Sequence, residues 1–303
     1  MRYRGTLRRK NKKSFVWAIA AIIAAVCFLL IKTGIKEKSP ADTTAAEGKL
    51  LQSETGAAGG EFDTAKERAT ETENDQAVEA ALMEQESQRI INLSAGEQAA
   101  EGIVKSGLID RLFYAAAVDD MLLERILGNS YTPNENISLS ELSYLRMLYY
   151  GPDQNTYVGE MIVNQEIAAD VLEIFRTLYE NQYPIERMVL IDDYNADDET
   201  SMEANNTSAF NYRTIAGSSK LSNHSYGMAI DLNPKYNPYV RTAPDGSIVC
   251  QPQSGCAYAD RTREFAYKID EEDLAYQLFT QAGFSWGGNW KSVKDYQHFE
   301  KVK

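Results

Sequence analysis

Histidine is nearly absent from this chain: His224 and His298 are the only two in 303 residues. Cysteine is scarce, with three, and the first thirteen residues hold no acid at all. Between residues 33 and 107 the only aromatic is Phe62. Each scarcity excludes something. With two histidines, a site of about three metal ligands must recruit a carboxylate or a thiol. The thiols are poor recruits: Cys27 lies in an apolar run, and Cys250 and Cys256, six positions apart with no histidine nearby, match no common zinc spacing. A stretch with one aromatic cannot bury enough apolar surface to offset its ordering entropy.

Charge is divided as unevenly. The net charge is −13 overall and +7 over residues 1–13, which leaves −20 on the remainder. An acidic body excludes nucleic acid as a partner, because phosphate binding needs a positive surface. The basic end directly precedes Ser14–Ile31, a run with no charge. About 18 apolar residues is near the lower limit for a membrane-spanning helix. Basic residues stay on the cytoplasmic side, so the N-terminus is expected inside and the rest outside. A cleaved signal peptide is the rival, but its apolar region is shorter and ends at a small-residue site, whereas this run continues to Lys32. Phe28 directly after Cys27 argues against a lipoprotein cysteine. The expected organisation is a cytoplasmic tail (1–13), a transmembrane anchor (14–32), a disordered and then partly helical stalk (33–107) and an extracytoplasmic domain (108–303). Outside the cell, Cys250 and Cys256 are expected to close a small disulfide loop rather than remain free thiols.

Within the domain, Ile109, Leu112, Phe113, Ala116, Leu123 and Leu127 recur at helical spacing, and Gly128-Asn129 ends the pattern. Two β-like runs, Tyr144–Tyr150 and Tyr157–Val163, flank turn residues and predict a hairpin. Asn164 is placed to cap a helix from about Gln165 to Glu180, with an apolar stripe of Ile167, Val171, Ile174, Phe175 and Leu178. Met188–Ile191 reads as a buried strand. The long polar segment Asp192–Arg213 fails as a calcium loop, since Tyr194 and Asp197 stand where an EF-hand needs a ligand and glycine. It is expected to wall a site. A short strand over Ala229–Leu232, a last helix capped by Asp270 and ended by Gly283, and strand character at Phe284–Trp286 and Asp295–Glu300 complete the pattern. The fold class expected is α+β, a small and mostly antiparallel sheet with flanking helices.

Two short stretches carry the chemistry: Ser222-Asn-His224-Ser-Tyr-Gly227-Met-Ala229-Ile-Asp231 and Asp295-Tyr-Gln-His298-Phe-Glu300. His224, Asp231 and His298 supply two imidazoles and one carboxylate, a set that suits zinc with one open position. Gly227 is expected to let the backbone pass close to the metal. A peptidase also needs a general base beside its water. Glu300 shares His298's face on a strand, whereas Asp295 needs a bend at Tyr296-Gln297, and spacing alone does not choose between them. Arg213, eleven residues before His224, is the nearest cation that could steady an oxyanion.

The two stretches resemble the VanY-type zinc D-alanyl-D-alanine carboxypeptidases and L-alanyl-D-glutamate endopeptidases that cut bacterial peptidoglycan stems. The likeness runs upstream through Asn205-Asn-Thr-Ser-Ala-Phe-Asn-Tyr-Arg213 and downstream through Trp286-Gly-Gly-Asn-Trp290. It implies Zn2+ on His224, Asp231 and His298, Asp295 as catalytic base in preference to Glu300, and Arg213 on the oxyanion or the substrate. Together with the expected single-pass anchor, it implies a membrane-anchored metallocarboxypeptidase at the bacterial cell surface, with stem peptides as substrate. Two alternatives stand beside it, an endopeptidase and a zinc-containing wall-binding module that does not hydrolyse. One departure is Asn289, where the family usually has aspartate.

Overall fold

The computed structural model describes residues 76–85, 88–89, 92–99 and 109–302. The expected tail, the anchor over 14–32 and most of the stalk lie outside the described residues. Among those described, no helix is long and apolar enough to cross a membrane. All belong to one compact unit, Asp63–Lys303.

The fold is α+β, with every pairing between its strands antiparallel. A first sheet has the order β1(Tyr114–Ala117), β2(Leu142–Tyr150), β3(Thr156–Asn164). The predicted hairpin is β2–β3, paired without a slip from Leu142↔Asn164 to Tyr150↔Thr156. Residues 92–99, within the stretch expected as stalk, run along the other side of β3. Gly96 N–H donates to Val158 O and Ala99 N–H to Thr156 O, and Ala99 is buried. Residues 76–85 are helical and exposed.

The helix read over residues 109–127 is broken into three pieces: α1(Ile109–Leu112), β1 and α2(Asp120–Ile126). Tyr114–Ala117 forms the edge of the sheet, opposite Ser143–Arg146. Asp119 then starts α2 by accepting the Leu122 N–H at 2.8 Å. Short helices are marginal on their own, and the open edge of β2 offers the chain ladder hydrogen bonds instead.

The helix expected after Asn164 is α3(Ala168–Glu180), three residues later than expected, although the Asn164 side chain does accept the Glu166 N–H. Its stripe of Val171, Ile174, Phe175 and Leu178 joins Leu145, Met147, Met161 and Val163 of the hairpin in the main core. The other side of this core is α5(Leu274–Gln281), capped by Asp273 rather than Asp270. Phe279 of α5 stacks on Phe299 with centroids 4.3 Å apart, and Phe299 follows His298 directly.

Two small sheets complete the domain. One has the order β4(Ala229–Asp231), β9(His298–Glu300), β7(Ser285–Trp286), and the other β6(Ile248–Gln251), β5(Tyr239–Thr242), β8(Lys294–Asp295). Cys250 and Cys256 form a disulfide, closing the loop after β6 as expected. Met188–Leu190 belongs to no strand, and a 3-10 turn follows over Ile191–Tyr194. The side chain of Asn206 takes the place of a neighbouring strand: its Oδ1 accepts the Val189 N–H and its Nδ2 donates to Val189 O, both at 3.0 Å.

Candidate metal centre and groove

Asp231 and His298 are direct cross-strand partners in the β4–β9 pair. The sheet therefore brings together two residues 67 positions apart. His224 comes from the 3-10 turn Asn223–Tyr226, started by Ser222 and ended at Gly227 with φ +64°. A Cβ at Gly227 would lie 2.5 Å from Asn164 N. The glycine thus permits close contact with the end of β3, and not with a metal as the sequence suggested. Asn164 N–H and Nδ2 donate to the carbonyls of Gly227 and Tyr226, which fixes the turn to the hairpin.

The segment Asn205–Arg213 lies against this turn. Ser208 and Asp231 exchange two backbone hydrogen bonds, and Asn211 N–H donates to His224 O. Ala209 O accepts from His224 Nδ1–H. On the other imidazole, His298 Nε2–H donates to Glu300 Oε2 at 3.1 Å. Glu300 also accepts from Asn223 Nδ2. Both outer nitrogens are thereby committed as donors, and the inner ones, His224 Nε2 and His298 Nδ1, are left with lone pairs.

Those inner nitrogens face each other at 3.2 Å. Asp231 Oδ1 lies 3.0 Å from His298 Nδ1, and Oδ2 lies 3.3 Å from His224 Nε2. The two inner nitrogens and the two oxygens of Asp231 are electron-pair donors at 3.0–3.3 Å, and they repel one another unless a proton or a metal cation lies between them. Tetrahedral zinc with ligands at about 2.0–2.1 Å has ligand–ligand edges of about 3.3 Å, so the set fits this ion. All three residues are candidate ligands on geometry, and both histidines are buried. Burial opposes a charge on His298, but hydrogen bonds to Asp231 and Glu300 and the field of nearby carboxylates push its pKa up to about 10. Burial likewise opposes the Asp231 charge, yet the two histidines hold its carboxyl well below the usual range. Both shifts express the same demand for positive charge at the centre.

Asp295 is brought to the centre by the bend that the sequence required. Strand β8 ends at Asp295, and β9 begins at His298. The turn at Trp286-Gly-Gly makes room, since a Cβ at Gly287 would lie 2.6 Å from Asp295 O and 2.8 Å from Asp295 Cβ. Gln297 Nε2 donates to Asp295 Oδ1 at 3.1 Å. Burial, with the negative Asp231 nearby, pushes the Asp295 pKa up to about 6 against the pull of the histidines and Gln297. Glu300, the other candidate base, is occupied by His298 and Asn223.

The three candidate ligands, Asp295 and Arg213 all line one groove of about 970 Å³. The polar segment 192–213 walls it as expected, through Ala196, Asp197, Asp198 and Glu199 of the stretch leading into α4(Asp198–Glu203). The Arg213 guanidinium forms an ion pair through Nε with Asp198 Oδ2. Its backbone N–H donates to Ser225 Oγ, whose hydroxyl returns a bond to Arg213 O. Asn289, the departure from the family pattern, is exposed and does not line the groove. The sequence reading missed Asp198 and Gln297, because partners across a fold leave no fixed spacing. The Ala209 carbonyl carried no side-chain signal at all. The placement of Glu300 on His298's face was legible, but its use as an outer partner was not.

Residues 216–301 match the family model described as D-alanyl-D-alanine carboxypeptidase. This match supports the VanY-type peptidase family read from the two stretches, and it takes in His224, Asp231, Asp295 and His298 but not Arg213. No curated protein and no solved structure matches the chain.

Proposed function

We propose that the chain is a zinc metallopeptidase that hydrolyses peptidoglycan stem peptides, acting as a D-alanyl-D-alanine carboxypeptidase. The observation that carries this reading is the pair of inner imidazole nitrogens 3.2 Å apart with the two Asp231 oxygens 3.0 and 3.3 Å from them, both outer N–H groups committed, beside the buried Asp295. His224, Asp231 and His298 would hold the zinc. When bound, that ion supplies Lewis-acid polarisation of a carbonyl and makes water more acidic. Asp295 takes the proton from the attacking water and returns it to the leaving amine. Arg213 offers its terminal N–H groups to the carbonyl oxygen where negative charge develops. The peptide C–N bond breaks, and free D-alanine leaves.

The anchor over residues 14–32, with a stalk shortened by residues 92–99 that run along β3, would keep this domain at the outer face of a bacterial membrane and within reach of the wall. The test is digestion of purified stem peptides by the zinc-loaded chain beside Asp295→Ala. Free D-alanine that Asp295→Ala abolishes is the expected result. Cleavage between L-alanine and D-glutamate would make it an endopeptidase. No product from a folded, zinc-loaded chain would overturn the peptidase reading in favour of a wall-binding module.

A further inference from the structure

We infer that Asp198 is a positioning residue, one that holds the Arg213 guanidinium aimed into the groove. The inference rests on the proposed role of Arg213 and deepens it. Arginine is a long side chain with considerable rotamer freedom, and an unanchored one in an open groove would sample many directions. Asp198 Oδ2 engages Nε, which leaves the two terminal nitrogens and their N–H groups for a ligand. The pair is only half-sheltered, at 34% and 31% side-chain exposure, so solvent screening leaves it little net stability and orientation is its main effect.

Asp198 is itself held. Its other oxygen, Oδ1, accepts from Asn211 Nδ2 at 3.1 Å. Asn211 is 4% exposed, donates also to Ala196 O at 3.2 Å, and sends its backbone N–H to His224 O. Hydrogen bonds therefore run from the backbone of a candidate ligand through Asn211 to Asp198, and Asp198 meets the buried Nε of Arg213 as an ion pair. From the same helix, Glu199 and Glu203 accept backbone N–H groups of Gln253 and Ser254 in the disulfide loop. Helix capping does not require Asp198, because Asp197 does that work by accepting the Thr200 N–H.

The test uses the zinc-loaded full chain in detergent. Its first readout is the Nε–H resonance of Arg213. Slow exchange with water is expected in the wild type, where Nε is buried against Asp198, accelerated about tenfold or more in Asp198→Ala as the ion pair that covers it is lost. Equal exchange in the two would overturn the inference. This readout needs no turnover, so a chain that fails to hydrolyse anything sinks the proposed function without deciding this point. The second readout is a double-mutant cycle on stem-peptide hydrolysis. Arg213→Ala is expected to lower kcat/KM on the order of a hundredfold, the scale of one oxyanion donor. Asp198→Ala is expected to lower it about tenfold, and the double variant to be no worse than Arg213→Ala. Asp198→Glu, which keeps the charge, should recover part of the loss. Additive effects, or an Asp198→Ala loss that persists in the Arg213→Ala background, would show that Asp198 acts through the fold instead.

Discussion

Two regions of the domain are held together by different forces. The hairpin, α3 and α5 are held by side chains such as Leu145, Val163, Phe175 and Phe279, all with almost no exposure. The segment from Asn205 to Asn237 also buries Ala209, Phe210, Met228, Ile230 and Leu232, but beside them it buries Asn205, Asn206, Thr207, Asn211, Asn233 and Asn237, and its residues 214–220 are exposed. There the backbone follows no long strand, and side-chain amides supply the missing ladder bonds. Apolar burial is non-directional and tolerates small shifts. A buried amide network is satisfied in one arrangement only and is costly when broken. The candidate ligands sit where the two meet: Asp231 and His298 on strands backed by the apolar core, His224 on a turn fixed by the polar segment.

The largest effect expected is at the chemistry itself. Asp295→Ala should lower kcat on stem peptides by about 10²–10⁴-fold, the span of a general base, with zinc content unchanged. Removal of zinc by a chelator should abolish activity, and His298→Ala should lower zinc retention measured by metal analysis. Next comes a contest between the two regions. Phe279→Ala, which removes the ring stacked on Phe299, should cost about 3–5 kcal/mol of stability in denaturant unfolding. Asn206→Ala strands both the Val189 N–H and its carbonyl, and should cost about 2–3 kcal/mol despite deleting only an amide. A loss under about 0.5 kcal/mol for Asn206→Ala would break the view that this segment is held by polar bonds.

A smaller effect is expected in pH dependence. Asp295 acts as a base only when ionised, and its pKa is pushed up to about 6. The rate should therefore fall as pH drops through this region and level off above it. The positive charge of bound zinc favours the carboxylate, so the half-maximal point should lie at or below about 6 in the loaded enzyme. An acid limb centred well above that would remove Asp295 from the role. The smallest effect expected is for Asn289→Asp. It restores the residue usual in the family at an exposed position outside the groove, and should change kcat/KM by less than about threefold.

The sequence by itself determined the ligand candidates, because both histidines of the chain lie in two compact stretches that also carry Asp231. It also determined the hairpin and α3, whose turn residues and apolar stripe act over a few neighbouring positions. Only the tertiary structure decided the rest. Tyr114–Ala117 left its helical pattern for the edge of β2. Met188–Leu190 looked like a strand, but its partner is the side chain of Asn206. Glu300 was committed to the outer nitrogen of His298, and Asp295 was left in the groove, once the chain bent between β8 and β9. Asp198 met Arg213 across a loop. In each case the competing interactions come from residues far apart in the chain. Periodicity and spacing report what neighbours favour, and the energy that decides between distant partners exists only after the fold has brought them into contact.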